Sequence, residues 1–231
     1  GDQEPRRHAR GAGPASAAFT IDTTLAAPII ATISDDTGYS STDGITADNT
    51  LVLNGTATAG DTITVKLLGG AVLGTTEVEK GGEWTFDHTS STLADGAYTF
   101  STSASNGVGT SASSPPFAVK VDTNAPTVVS VNRQNPTVAT SSVAGITFRV
   151  TLSESTIGVD SADFTPVFSG GLSGSISDLV QVGTNSFDVT LALSGEGTVR
   201  LDVNSGGTGI ADIAGNLLSG VVIRHGHWHH Q

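Results

Sequence analysis

Val119-Lys120-Val121-Asp122-Thr123-Asn124, running on to Pro126, echoes Phe19-Thr20-Ile21-Asp22-Thr23-Thr24, which runs on to Pro28. Side chains alternate between the two faces of an extended strand, so Phe19 and Ile21, like Val119 and Val121, share one face. The proline that follows stops the ladder and holds its predecessor extended. Each copy therefore reads as a last strand followed by a stiff linker. Recurrence after about one hundred residues is the mark of tandem domains. On this reading the first copy closes a domain that lies upstream, and the chain is a piece of a longer array. The lack of any methionine among 231 residues agrees with an internal piece.

The expected division is a leader at 1–18, a first domain at 19–122, a second at 123–224 and a His-rich tail at 225–231. A chain of this length can hold two ordinary domains, each with its own core. Charged residues make up only 14% and hydrophobic ones 37%. Gly, Ser, Thr, Ala and Asn dominate the rest, which favours strands and turns over helices. No window carries a 3.6-residue apolar period. The formal charge of −12 speaks against nucleic acid or an anionic membrane surface, which need clustered Lys and Arg, and suits a cation. Without cysteine there is no disulfide, thiolate site or cysteine nucleophile. No apolar run is long enough for a membrane-spanning helix, and the polar start Gly1 to Arg10 has no signal-peptide core.

From Pro28 onward, short alternating runs are broken by Gly, Asp and Asn: Pro28 to Ile33, Thr50 to Thr56, Thr62 to Leu68, Val72 to Val78, Glu83 to Asp87, Ala97 to Ser103 and Phe117 to Val121. About seven strands in a hundred residues is the expectation for an immunoglobulin-like sandwich. Trp84 and Phe86 are expected to anchor its core. After Pro126 a second series runs through Val128 to Val131, Ile146 to Leu152, Ser175 to Val182, Ser186 to Leu193, Thr198 to Val203 and Gly220 to Ile223. The expected fold class is all-β, with two tandem immunoglobulin-like or cadherin-like β-sandwich domains.

Gly82-Glu83-Trp84-Thr85-Phe86 and Leu93-Ala94-Asp95-Gly96-Ala97-Tyr98-Thr99-Phe100 make the first domain resemble the bacterial Ig-like repeats of large RTX-type and biofilm-associated surface adhesins. Ile33-Ser34-Asp35-Asp36-Thr37-Gly38, with Asp43-Gly44-Ile45-Thr46 and Asp48-Asn49-Thr50-Leu51, is similar to a loop of those repeats. The second domain resembles a related module through Phe148-Arg149-Val150-Thr151-Leu152-Ser153-Glu154, Val159-Asp160 with Asp163-Phe164, and Asp212-Ile213-Ala214-Gly215-Asn216. Where the first domain would carry an Asp-x-x-Gly-Asn loop before its last strand, it has Ser105-Asn106-Gly107-Val108-Gly109 instead. The resemblance implies an extracellular or cell-surface protein, with calcium bound at or near domain junctions.

Asp22, Asp35, Asp36, Asp43 and Asp48 lie in a stretch almost free of Lys and Arg. Folded together, they must stay apart in water or share a cation, because like charges destabilise one another. Calcium takes six to eight oxygen ligands in flexible geometry and is the expected cofactor. At the second junction Asp122 and Asn124, with Asp212 and Asn216, are the candidate ligands. The competing reading makes each Asp a turn former that hydrogen-bonds its own backbone, as Asp43-Gly44 and Asp95-Gly96 would. His225, His227, His229 and His230 could grip a transition metal, but such a tail is more commonly an affinity tag. No nucleophile elbow, zinc-protease motif or phosphate loop is present, and the carboxylate pair Asp160 and Asp163 has the spacing of a strand edge. The chain is expected not to be an enzyme.

The expected role is that of monomeric structural spacer modules in an exported bacterial adhesin, with neighbouring repeats of the same chain as partners. Two alternatives stand beside it. One is a module recognising a glycan or a host surface protein, with Phe168 as a platform; the other is an accessory β-module of a secreted hydrolase.

Overall fold

The computed structural model describes Gly1 and residues 24–137, 140–141, 144–204, 206–220 and 228–230. The first junction copy up to Thr23, with Asp22, and most of the His-rich tail lie outside these. Among the described residues, sixteen strands carry the fold. β1 to β8 are Ile29–Ile33, Ile45–Thr46, Val52–Thr56, Thr62–Leu67, Val72–Glu77, Glu83–Asp87, Gly96–Ser105 and Phe117–Val121. β9 to β16 are Val128–Asn135, Thr140–Ser141, Gly145–Leu152, Phe164–Gly170, Ser173–Gln181, Ser186–Ser194, Gly197–Val203 and Trp228–His230. Among the described residues the only helical element is a 3-10 turn at Ser161–Asp163, as the missing 3.6-residue period leads one to expect.

The strands form two β-sandwiches with the same plan. In the first, β1-β3-β6 faces β2-β8-β7-β4-β5; in the second, β13-β14-β11-β9 faces β10-β16-β15-β12. The central strand of one sheet pairs in parallel with a two-residue strand and antiparallel with a long one, β8 with β2 and β7, then β16 with β10 and β15. Both long strands open on a glycine opposite the end of that central strand, Gly96 against Val121 and Gly197 against His230. Both glycines have positive φ, 155° and 154°. Trp228–His230 thus occupies in the second sandwich the place of Phe117–Val121 in the first.

Each sandwich has its own core. Leu51, Leu53, Ile63, Val65, Trp84, Phe100, Val119 and Val121 fill the first. Trp84 is 1% exposed and Phe86 7%, so both are the anchors their alternation in Glu83–Asp87 implies. Trp84 fits because Gly55 lies beneath it. A Cβ at Gly55 would stand 2.4 Å from Trp84 Cζ2 and 2.0 Å from the Ile29 carbonyl oxygen. In the second core, β11 alternates without a break, burying Ile146, Phe148, Val150 and Leu152 against Val189, Leu191, Val199 and Leu201. Its outer face carries a two-bond pair, with Arg149 Nε and Nη2 donating to the Asp188 carboxylate at 2.8 Å each. Full burial of one such apolar side chain contributes roughly 1.5–3 kcal/mol.

Four strands, β2, β10, β12 and β16, fall outside the alternating runs. β12 contains Pro166, which has no N–H to give the ladder; it is tolerated because β12 is the last strand of its sheet. β2 and β10, of two residues each, and β16, of three, are too short to show any period. The strand expected at Gly220 to Ile223 lies mostly outside the described residues.

Candidate metal centre at the domain junction

β8 ends at Val121, and the next residue begins the linker. The Asp122 N–H donates to the Thr46 carbonyl at 2.9 Å, extending the β2–β8 pairing by one step. Its Oδ2 accepts from Lys120 Nζ at 2.9 Å. Two loops of the second sandwich come up to this point. The first follows β11, where Ser153 N–H donates to the Thr127 carbonyl and leaves Glu154 facing the linker. The second is a turn over Asp212 to Asn216. The Asn216 N–H and Nδ2 both donate to the Asp212 carboxylate, at 2.9 Å each, and Nδ2 also reaches the Asp122 carbonyl at 2.7 Å. Asp212 is 3% exposed.

As a result, Asp122, Glu154 and Asp212 offer carboxylate oxygens that all lie within 4.8 Å of one another. They line a cleft of about 280 Å³ together with Ile45, Lys120, Ser155, Ile213 and Ala214. The field of the cluster is felt by its members. Burial raises the Glu154 carboxyl above its ordinary value, and Asp212 and Asp122 raise it further against the opposing pull of Lys120. The Lys120 ammonium is raised too, chiefly by its hydrogen bond to Asp122, with Asp122, Glu154 and Asp212 adding their charge. An all-oxygen donor set without His or Cys suits a hard cation. This cluster could hold a metal ion.

Of the residues singled out from sequence, the structure brings Asp122, Asp212 and Asn216 together. Asn124 stands nearby but turns away, its Nδ2 donating to Asp95. Asp35, Asp36, Asp43 and Asp48 do not join the cluster. Asp36 Oδ2 accepts from the Gly44 N–H, Asp43 Oδ1 from the Ile45 N–H, and Asp48 Oδ1 from the Thr50 N–H and Oγ1. Asp43 and Asp48 are turn formers, the competing reading of the loop, while Asp36 ties across it to a residue eight positions on. Asp35 is exposed with a φ of 55°, and its carbonyl accepts from Thr46 Oγ1. The second Asp36 oxygen, Oδ1, is buried without a protein partner beside a cavity of about 120 Å³ that Asp43 also lines. Asp22 lies outside the described residues. Sequence reasoning missed Glu154 as a member of the cluster. Its signal was its position directly after the buried strand 145–152, on a loop that must face the linker because Leu152 pairs with Val128.

Residues 24–123 match the family model described as "Bacterial Ig-like domain". Over those residues the first domain is similar to bacterial Ig-like domains. Among solved structures, one similar chain is "Biofilm associated protein - BSP domain", with 17% identity, covering 86% of this chain and 29% of that one at a TM-score of 0.29. A second is "Titin kinase and its flanking domains", with 9% identity, 73% and 37% coverage and a TM-score of 0.29. The chain thus spans well under half of either, and at these TM-scores neither likeness carries an argument. No curated protein matches the chain. The first domain contributes Asp122 and Lys120 to the cluster, while Glu154 and Asp212 come from the sandwich that follows it.

Proposed function

We propose that the chain is a pair of structural spacer modules of an exported bacterial surface adhesin, and that calcium stiffens the joint between them. The observation that carries this reading is the convergence of Asp122, Glu154 and Asp212, from the linker of one domain and two loops of the next. The likeness of the first domain to bacterial Ig-like domains supports the surface setting. Asp122, Glu154 and Asp212 would hold the ion, and calcium would supply the charge that three adjacent carboxylates and one ammonium leave uncompensated. A hinge between two domains stays mobile unless something spans it. Ligands drawn from both sides make the ion such a span.

The recognition alternative has less to stand on. Phe148, Phe164 and Phe187 are buried, and Phe168 packs against the same core, so these rings do not offer a sugar an open face. The reading as a spacer assigns the chain no catalytic role.

Calcium titration of the metal-stripped chain by calorimetry, with a thermal melt at each end point, tests the proposal. Saturable binding with a raised melting temperature is expected, because a ligand held only by the folded joint stabilises it by mass action. No heat and no shift would return the three carboxylates to ordinary surface chemistry.

A further inference from the structure

Beside the carboxylate cleft the two domains touch through main chain. The Tyr39 N–H donates to the Ile213 carbonyl at 3.1 Å, and Thr37 Oγ1 donates to the Ala214 carbonyl at 2.6 Å. Two glycines face each other at this contact. A Cβ on Gly38 would stand 2.1 Å from the Ile213 carbonyl oxygen and 2.6 Å from the Ala214 carbonyl carbon. A Cβ on Gly215 would stand 2.9 Å from both N and Cα of Gly38. Backbone cannot yield as the tip of a flexible side chain can, so a side chain at either place separates the loops.

The receiving loop is braced before its partner arrives. Thr46 is fully buried and its Oγ1 donates to the Asp35 carbonyl. Thr37 Oγ1 accepts from the Ala47 N–H at 2.7 Å, which aims its own hydrogen outward at Ala214. Asp36 ties Gly44 back to the loop. The carboxylates of Asp36 and Asp43 help to hold a preformed surface whose outward groups are one N–H and one O–H. The presented turn is preformed as well, through the bonds of Asn216 to Asp212.

We infer that the loop 35–44 is a docking surface for a glycine-bearing turn carried by the following domain, and that this contact sets the domain orientation before any cation adds to its stability. The partner it fits presents two successive carbonyls and then a glycine of positive φ, as Ile213-Ala214-Gly215 does; Gly215 has a φ of 97°. Recognition through main chain tolerates change at most side chains and rejects any at the glycine. Gly38 and Gly215 are thus specificity-determining residues for which module can follow the first. This inference does not rest on calcium binding.

The chain has no cysteine, so spin labels can be placed cleanly at the exposed residues Ser90 and Thr184, one in each domain, through Ser90→Cys and Thr184→Cys. Interdomain distance distributions are measured by pulsed electron resonance in excess chelator. The unsubstituted junction is expected to give one narrow distribution, and Gly38→Ala and Gly215→Ala each to broaden it at least twofold. Gly60→Ala is the control, since Gly60 has a φ of 85° but open space around it, and carries similar backbone strain with no contact. Its distribution should match that of the unsubstituted junction. A junction already broad in chelator, or a Gly60→Ala distribution as wide as that of Gly38→Ala, would overturn the inference. Intact near-ultraviolet signal from Trp84 marks a folded first domain, and Gly215→Ala tests the same contact should Gly38→Ala not fold.

Discussion

Glu154→Gln is expected to act with opposite signs in the presence and absence of calcium. Glu154 has no hydrogen-bond partner of its own among the described residues, so the substitution removes charge while leaving the turn at Asp212 and the linker pairing of Asp122 in place. In the metal-free chain it relieves repulsion from two carboxylates within 4.8 Å. In a water-like dielectric each unit-charge pair at that separation costs about 1 kcal/mol, and Lys120 offsets part of it. Glu154 is partly exposed, so solvent screening reduces the net gain to a few tenths of a kcal/mol. With calcium the sign reverses. For a site of about 10⁻⁴ M affinity, typical of extracellular modules, ~10 mM calcium stabilises the folded joint by about 2.7 kcal/mol. Losing one of three carboxylates and about a hundredfold in affinity leaves about 0.4 kcal/mol of that. The calcium-dependent rise in melting temperature should therefore shrink by roughly 5–10 °C for a chain of this size. Paired thermal melts in chelator and in calcium read both signs. A Glu154→Gln chain that melts lower in both solutions by the same amount, or keeps the full calcium shift, would refute the assignment of Glu154 as a ligand.

Acidification should separate the same two states. The Glu154 carboxyl is raised above its ordinary value, so ionised Glu154 disfavours the folded state, a penalty present above its folded pKa and relieved as pH falls toward the ordinary carboxylate range. Asp163, raised chiefly by burial, works in the same direction. The metal-free chain should thus gain stability from these groups on mild acidification, while calorimetry over the same range shows calcium affinity falling as Glu154 takes up its proton. Trp84→Ala should cost about 3–5 kcal/mol through the cavity it leaves, with Phe148-centred packing of the second domain unaffected, as domain-resolved amide exchange would show. Gly55→Ala should weaken the first domain as well, because its Cβ cannot fit under the Ile29 carbonyl; loss of protection in Ile29–Ile33 ahead of the rest of that domain is the expected signature.

The fold was legible where polar and apolar residues alternate. Glu83-Trp84-Thr85-Phe86-Asp87 and Gly145 to Leu152 each expose one face and bury the other, so both strands and their cores followed from period two. β12 was hidden by Pro166, whose tolerance depends on an edge position that no local pattern encodes. The site was half legible for a related reason. Asp122 and Asp212 stood out by type and by motif, but the density of Asp from 35 to 48 drew attention to a loop whose carboxylates serve N–H groups two to eight residues away. Carboxylate density along a chain measures turn content as readily as it measures a metal site. Glu154 sits 32 residues beyond Asp122 and 58 before Asp212, so only the fold unites them, through the pairing of Leu152 with Val128 and the bond of Asn216 to the Asp122 carbonyl.

The shared plan of the two sandwiches separates what belongs to the fold from what belongs to the joint. Asp61, just before β4, and Asn106, just after β7, are bonded to each other; Asp163, just before β12, and Asn204, just after β15, are bonded through the Asn204 N–H and the Asp163 carbonyl. This Asp and Asn close the same end of both domains, and both Asp residues are buried. The joint residues have no such counterparts. Where the second domain places Glu154 after its strand β11, the first places Thr58 after β3, and where the second carries Asp212 to Asn216, the first carries the short loop Asn106 to Gly109. Two domains of one topology thus present different faces at the same end, one with Glu154 and Asp212 in these loops, the other with no carboxylate at the matching places. The chemistry of a joint is therefore written in the loops of the particular pair, and a substitution such as Asp212→Asn should change the joint while leaving the sandwich plan intact.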